Sequence, residues 1–396
     1  MTSTSSRTVL PASGRVRNGV QPSGARQIMD RAWNIPDAIH LEIGEPDFTA
    51  APDVVAAAER AIRDGRTGYP PTAGLPALRE ALTGKLMEVN GITAAPHQVV
   101  VTNGGCQGLF NVLGVLLDVG DPIALPNPGW PNYRSMAGIL GLQVREYTLG
   151  PATHHLPDPE EIQRLAQQGC RAIVLNSPAN PLGTVTPVEL VDAVLDIARR
   201  YDMWVVSDEC YDELYFDAVP SSPVARDPQG NVVTVFSFSK THAMTGWRVG
   251  YVVAPDEVAR HVALAQEPLV LGISAPGQYA AIQALAPEGT QHVAAMRDEY
   301  RRRRDGVVEA FRQVGHAVQA PQGAFYLWLD IRDTGLVDRD FVLSLLDTEH
   351  VAITPGSSFG PAGTGFVRLS LAAGYDTLMD AVRRTAGHLA RCAEQS

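Results

Sequence analysis

The chain has 396 residues, 45% hydrophobic, 19% charged and 7% aromatic, with a formal net charge of −11. That length can bury sizeable cores, two subdomains fit it better than one unit, and the near-average composition excludes collagen, coiled coil and disorder for the whole chain. Dispersed acidic charge, and no apolar run of membrane-spanning length, argue against nucleic acid or membrane as a partner.

In chain order, Met1–Arg17 is rich in Ser, Thr and Arg but has no apolar stretch of the secretory kind, and residues 1–14 are expected to be a disordered lead-in. Leu78–Val89 has the pattern of a surface amphipathic helix carrying Lys85. From residue 98 onward short β-rich runs alternate with helical ones. Strands are expected at Gln98–Thr102, Pro122–Leu125, Ala172–Leu175, Trp204–Ser207, Val232–Phe236 and Val249–Val253, with helices at Gln107–Leu117 and Val188–Tyr201. That alternation predicts an α/β fold, a large domain with a mostly parallel sheet flanked by helices, whose ligand crevice lies at the carboxyl ends of the strands. After about residue 290 a long helix (His292–Val314, with Arg301–Arg304 as a solvated face), a strand at Phe325–Leu329, a helical stretch near Phe341–Leu346, a strand at Phe366–Leu371 and a helix from Thr377 predict a smaller α+β domain. The expected division is residues 15–47 with 291–396 for the small domain and 48–290 for the large one.

The four cysteines, Cys106, Cys170, Cys210 and Cys392, contain no C-x-x-C and are too sparse for a disulfide framework, which points to a reducing, cytoplasmic setting. Of 32 basic residues only Lys85 and Lys240 are lysine. Where arginine meets every need for charge, a lysine stands out as a possible amine, since a guanidinium neither deprotonates nor forms an imine.

Four strand ends carry chemistry. Gly104 and Gly105, before a helix, offer free N–H groups and the positive end of a dipole to a phosphate, although a plain strand–helix turn would look the same. Ser237-Phe238-Ser239-Lys240, with Arg248 eight residues later, combines an amine, two hydroxyls and a guanidinium, a set suited to a phosphorylated carbonyl compound. Asp208 ends a largely apolar strand, with Tyr211 following. Partly buried there, it needs a cation such as a protonated pyridine nitrogen, or it caps a helix. Asn176-Ser177-Pro178-Ala179-Asn180-Pro181 ends another strand and reads equally as an Asn-Pro turn.

Together these residues resemble the fold-type I pyridoxal-phosphate aminotransferases, the class I/II group that includes bacterial aspartate, aromatic and alanine aminotransferases. The resemblance runs from about Arg15 to the C-terminus. It includes Leu41-Glu42-Ile43-Gly44-Glu45-Pro46-Asp47-Phe48, Gly68-Tyr69-Pro70, Asn180-Pro181-Leu182-Gly183, Asp208-Glu209-x-Tyr211, Ser237 to Lys240 with Gly246-Trp247-Arg248-Val249-Gly250, and Arg368-Leu369-Ser370. It implies an aspartate aminotransferase-like fold, pyridoxal 5'-phosphate as cofactor, and a homodimer with shared active sites acting on an amino acid and a 2-oxo acid. By the same resemblance Lys240 would form the imine with the cofactor and shuttle the proton. Asp208 would pair with the pyridine nitrogen, and Tyr211 and Asn180 would hydrogen-bond the phenolic oxygen. Trp130 would stack on the ring. Gly105, Cys106, Ser237 and Arg248, beside Gly104, would hold the phosphate, with Tyr69 reaching it from the other subunit. Arg368 and the Gly44 backbone would hold the substrate carboxylate.

Cys106 departs from the Ser, Thr or basic residue often found at its position. Neither it nor Leu269–Ile273 offers a cation for an acidic side chain, so a neutral or apolar substrate is expected, unless Arg15, Arg17 or Arg26 approaches the pocket. The alternative outcome is a lyase or oxidative deaminase of the same fold. A non-catalytic ligand sensor would typically need an attached DNA-binding domain and would not need Lys240 with its companions. Gly356-Ser357-Ser358-Phe359-Gly360 matches G-x-S-x-G, but Pro355 before it and a glycine-rich loop after it disfavour a nucleophile elbow. His154-His155 lacks spaced metal partners and is expected to be solvated. No G-x-G-x-x-G supports a dehydrogenase.

Overall fold

The computed structural model describes residues 24–227 and 229–394, together with Gly14 and Val20. The expected lead-in thus lies outside the described residues, Gly14 apart. Short β-branched runs form β1 (Ile39–His40), β2 (Val99–Thr102), β3 (Pro122–Asn127), β4 (Gln143–Thr148), β5 (Ala172–Asn176), β6 (Trp204–Asp208), β7 (Val232–Ser237) and β8 (Gly250–Val253). Then come β9 (Tyr326–Asp330), β10 (Val351–Ala352), β11 (Thr354–Pro355) and β12 (Phe366–Ser370).

The main sheet has seven strands in the order β2-β8-β7-β6-β5-β3-β4. Every neighbouring pair is parallel except the two made by β8, which runs against both β2 and β7. The mostly parallel sheet flanked by helices agrees with the sequence. Successive side chains of one strand serve opposite faces. Ile173, Leu175 and Val205 pack on the helices Pro159–Gln167 and Val188–Arg200. Ala172, Val174 and Val206 pack with Leu109, Val112 and Leu113 of the helix Gly104–Leu116. Burial on both faces is why these strands read as continuous apolar runs rather than alternating ones.

A second core lies among the long helix Pro287–Gln313, the helices Asp338–Glu349 and Tyr375–Ala393, and the antiparallel sheet β11-β12-β9. Strand β1 pairs in parallel with β10, Ile39 opposite Val351, which ties the segment before residue 47 to these C-terminal elements. Among the described residues no helix is long and apolar enough to cross a membrane.

Several local expectations need correction. Helices begin earlier than periodicity indicated because proline and glycine, read as breakers, occupy first turns: Pro287 opens the long helix and Gly104 its own. Arg301–Arg304 is not a uniformly solvated face. Arg303 is buried against Asp47 (2.8 Å) and Glu299 (2.9 Å) and lies over the Phe48 ring, while Arg304 is buried beside Asp305 (2.6 Å) and Asp217. The helix turns these two toward the core, where their stems cover aromatic rings and their heads find carboxylates. His155 is half-buried, its Nδ1 donating to the Leu149 carbonyl at 2.9 Å. Lys85 is not on a surface: its side chain is 9% exposed and ion-paired.

Candidate active site

The topology explains how distant residues meet. Strands β5, β6 and β7 run parallel, so their last residues Asn176, Asp208 and Ser237 share one edge of the sheet. Strand β2, antiparallel to β8, points the same way and delivers Gly104 and Gly105 to that edge. Because β8 returns antiparallel from β7, both ends of the loop 238–249 stay there too, Lys240 at one end and Arg248 at the other. A cavity of about 650 Å³ opens at this edge. Its lining includes Gly44, Gly105, Cys106, Trp130, Asn180, Asp208, Tyr211, Ser237, Lys240, Arg248 and Arg368. Of the other residues singled out, Gly104 lies directly behind Arg248. Tyr69 is 84% exposed and outside the chain's own cavity.

Lys240 sits in the four-residue helical turn Phe238–Thr241, capped by the Ser237 hydroxyl, which accepts the Ser239 N–H at 3.1 Å. Such a cap contributes about 1 kcal/mol. The Lys240 amine donates to the Gly44 carbonyl at 2.5 Å. Gly44 has to be glycine, because a Cβ there would lie 2.1 Å from the Tyr326 hydroxyl. Burial lowers the Lys240 amine below its ordinary value, with Cys210 and Glu45 partly opposing. A lowered amine is closer to being a usable nucleophile and base.

Arg248 is held at φ 57°, a left-handed conformation that costs on the order of 1 kcal/mol for a residue with a side chain. Its guanidinium donates to the Thr245 carbonyl (2.7 Å), the Asn103 carbonyl (3.4 Å) and the Ser239 hydroxyl (3.5 Å). It forms no ion pair with a carboxylate among the described residues. Beside it the backbone is bare: a Cβ on Gly104 would lie 2.4 Å from Arg248 Nη2, and one on Gly250 would lie 2.7 Å from the Gly105 nitrogen. The first turn of the helix Gly104–Leu116, with its outward N–H groups, thus faces a cation that lacks an anion. Burial raises the Cys106 thiol, with Arg248 opposing, so Cys106 contributes here as a small neutral group.

Asp208, 4% exposed, accepts the Tyr133 hydroxyl at 2.6 Å and the Cys210 N–H at 3.2 Å. Burial pushes its carboxyl above the usual range, while those two donors pull the other way. No basic side chain among the described residues pairs with it. Trp130 meets Tyr133 edge-on with centroids 5.3 Å apart. Sequence reasoning missed Tyr133. Its signal was an aromatic three residues after Trp130, one helical turn away.

Across the cavity Arg368, 4% exposed, donates to the Glu42 carbonyl (2.6 Å) and the Asn180 side-chain oxygen (3.0 Å). Its plane lies over the Tyr326 ring at 4.3 Å. Burial pulls its pKa down, yet no carboxylate is paired with it and its Nε has no partner. The Tyr211 and Tyr326 hydroxyls bond to each other at 2.8 Å. Thr354, Met29, Trp33 and Thr245 also line the cavity and were not read from the sequence. The Gly356–Phe359 stretch is a single 3-10 turn after β11, not a strand–helix elbow, and Ser358 lines the cavity wall.

These groups can hold one molecule with a phosphate, a protonatable ring nitrogen and a carbonyl, and beside it a carboxylate. Pyridoxal phosphate fits the first set through the bare glycine cradle facing Arg248 and the buried carboxylate of Asp208. An amino acid fits the second through the orphaned Nε of Arg368.

Comparison with known proteins agrees. The family model described as aminotransferase class I and II matches residues 36–385. An aspartate/prephenate aminotransferase of Thermus thermophilus is 37% identical over 357 residues, 90% of this chain and 92% of that protein. An aspartate aminotransferase of Pyrococcus horikoshii is 34% identical over 367 residues, 92% of this chain and 94% of its own. The solved structure of Thermus thermophilus aspartate aminotransferase with maleate superposes with a TM-score of 0.91 at 35% identity, covering 96% of this chain and all of the other.

Proposed function

This chain belongs to the class I and II aminotransferases, and we propose that its cavity binds pyridoxal phosphate and an amino acid through the residues just described. The chain is a pyridoxal-phosphate-dependent enzyme that transaminates an amino acid. The lyase and oxidative deaminase alternatives give way to transamination. The observation that carries the assignment of residues is one cavity lined by three charges that have no counter-charge among the described residues: Lys240 without a carboxylate, the buried Asp208 without a cation and, across from them, the buried Arg368 without an anion.

Bound here, the cofactor supplies a conjugated sink for the electron pair left when a proton leaves the substrate α-carbon. Lys240 would be the amine that holds the cofactor aldehyde and, when freed, the base placed to move a proton at the substrate α-carbon. Asp208, held by the Tyr133 hydroxyl, would accept the pyridine N–H and keep a proton on that nitrogen. Tyr211 and Asn180 hydrogen-bond the phenolic oxygen, and Trp130 supplies an aromatic face. Arg248, Ser237 and the N–H groups of Gly105 and Cys106 bind the phosphate. Arg368 grips the α-carboxylate as a planar fork, oriented by the Glu42 carbonyl. Tyr69, fully outside its own cavity, reaches the phosphate site of a second copy in a homodimer.

The substrate side chain is neutral or apolar. Met29, Trp33, Ile43, Leu109 and Phe359 line the cavity, and Cys106 adds no charge. Arg26 favours a second reading, since it also lines the cavity, beside Met29 Sδ, and related proteins are named as aspartate aminotransferases. Two measurements test these assignments. Borohydride reduction of the holoenzyme followed by peptide mapping should label Lys240, and an unlabelled Lys240 would refute its role. A panel of amino donors should rank alanine-like or larger apolar side chains above aspartate in kcat/KM. Aspartate ranking first would refute the apolar preference, and its loss in Arg26→Ala would assign the acidic side chain to Arg26.

A further inference from the structure

Lys240 has a chemical reason not to be arginine. Lys85, the other lysine, lies outside the cavity lining and has a geometric one. It projects from the helix Pro76–Asn90 into the interior, its side chain 9% exposed, where its ammonium meets Asp212 Oδ2, Asn90 Oδ1 at 2.8 Å and Glu213 Oε1 at 3.7 Å. It also lies over the Phe236 ring, 5.0 Å from the centroid. This is a site for a compact point charge with three donors, and a planar guanidinium would not fit the same partners. Burial, the largest single influence, opposes the charge, but Asp212, Tyr251 and Glu213 together outweigh it and the ammonium is held above its ordinary value.

Asp212 is the link. It is 6% exposed, and among the described residues its ion pair is with Lys85. Asn90 Nδ2 adds a hydrogen bond to the same oxygen at 3.2 Å. Its other oxygen, Oδ1, accepts the Thr241 hydroxyl at 3.0 Å. Thr241 adjoins Lys240, and Asp212 adjoins Tyr211 and lies one turn beyond Asp208. One buried carboxylate therefore ties the turn bearing the amine to the strand end bearing the ring-nitrogen partner, and one ammonium holds that carboxylate in place.

We propose that Lys85 is a positioning residue for the reaction: through Asp212 and Thr241 it fixes the turn from which Lys240 acts. This rests on the reading of Lys240 as the amine that bonds the cofactor. An amine that leaves and returns to one carbon in each turnover has to swing from a fixed base, and small misplacements of a reacting group are costly. Without Lys85, Asp212 would be a buried carboxylate with no cation beside it, and would turn away from Thr241.

The test uses holoenzyme carrying Lys85→Met, Thr241→Val, Thr241→Ser and the double change Lys85→Met with Thr241→Val. Each of the first two should lower kcat of the amino-acid half-reaction about tenfold, the size of one charge-assisted hydrogen bond, with KM within about twofold. Both should alter the visible circular-dichroism band of the bound cofactor. Thr241→Ser should restore both readouts. The double variant should be no slower than Thr241→Val, because both changes cut one chain. Losses that multiply to about a hundredfold would overturn the proposal. So would a Thr241→Val enzyme with wild-type kcat and an unchanged visible band, and that arm decides even if Lys85→Met fails to fold. Failure of Lys240 to take the borohydride label would overturn the parent reading as well. A labelled Lys240 with multiplying losses overturns the positioning role alone.

Discussion

Replacing Arg368 by lysine isolates what a planar fork does that a point charge cannot. The native guanidinium is held in plane by the Glu42 carbonyl at 2.6 Å and Asn180 at 3.0 Å, stacked on Tyr326, with Nε unpartnered. Lysine keeps the positive charge in the same buried place but loses the paired N–H geometry. Charge-assisted hydrogen bonds are worth about 1.5–3 kcal/mol each. Losing one bond and weakening a second should raise the barrier by roughly 3–4 kcal/mol, a fall of some 10²–10³-fold in kcat/KM. The assay is a single-turnover half-reaction followed by cofactor absorbance, run in parallel with an L-amino acid and with the amine that lacks its carboxylate. The amino acid should lose its advantage over the amine, while the amine reacts at nearly the same rate in both enzymes. Cofactor affinity should stay unchanged, because Arg368 is separate from the glycine cradle. An equal loss for the amine, or a loss under about threefold for the amino acid, would refute the carboxylate role.

Tyr133→Phe removes the 2.6 Å donor to Asp208 and should push that carboxyl further up. Cofactor affinity by equilibrium dialysis and the half-reaction rate should each fall about tenfold, and neither changing would remove Tyr133 from the site. Glu209, buried with the Ser207 and Ser222 hydroxyls, is pushed by burial up to about 7. A carboxyl whose folded pKa is raised binds more protons folded than unfolded between about 4.5 and 7. Its stabilisation is therefore present below that window and lost as pH rises through it, by on the order of 3 kcal/mol. Chemical denaturation from pH 4 to 8 should show a flatter pH profile for Glu209→Gln than for the native chain, and parallel profiles would contradict the assignment.

Much of this site was legible because its chemistry sits at strand ends. Apolar runs closing on Asp208, Ser237 and Asn176 mark the carboxyl edge of a parallel sheet before any coordinates are known, and the glycines before Gln107 mark a helix start. What escaped were partners brought in by topology rather than by local pattern. Tyr133 reaches Asp208 from 75 positions away in sequence, and Thr354 and Met29 come from opposite ends of the chain. Lys85, Arg303 and Arg304 were misjudged for a shared reason. A charge at a helical position looks solvated unless one knows which carboxylate waits opposite, and Asp212, Asp47 and Asp217 are named only by the folded chain.

The scarcity of lysine has a practical corollary. The outer surface offers guanidinium groups and no freely exposed side-chain ammonium, since one lysine is sealed behind the sheet and the other faces the cavity. Acylating reagents selective for primary amines should leave the native side chains almost untouched. If Lys240 bonds the cofactor as proposed, stripping the cofactor would unmask a single reactive side-chain amine, so that labelling beyond the terminal α-amine would gauge how many catalytic centres are vacant.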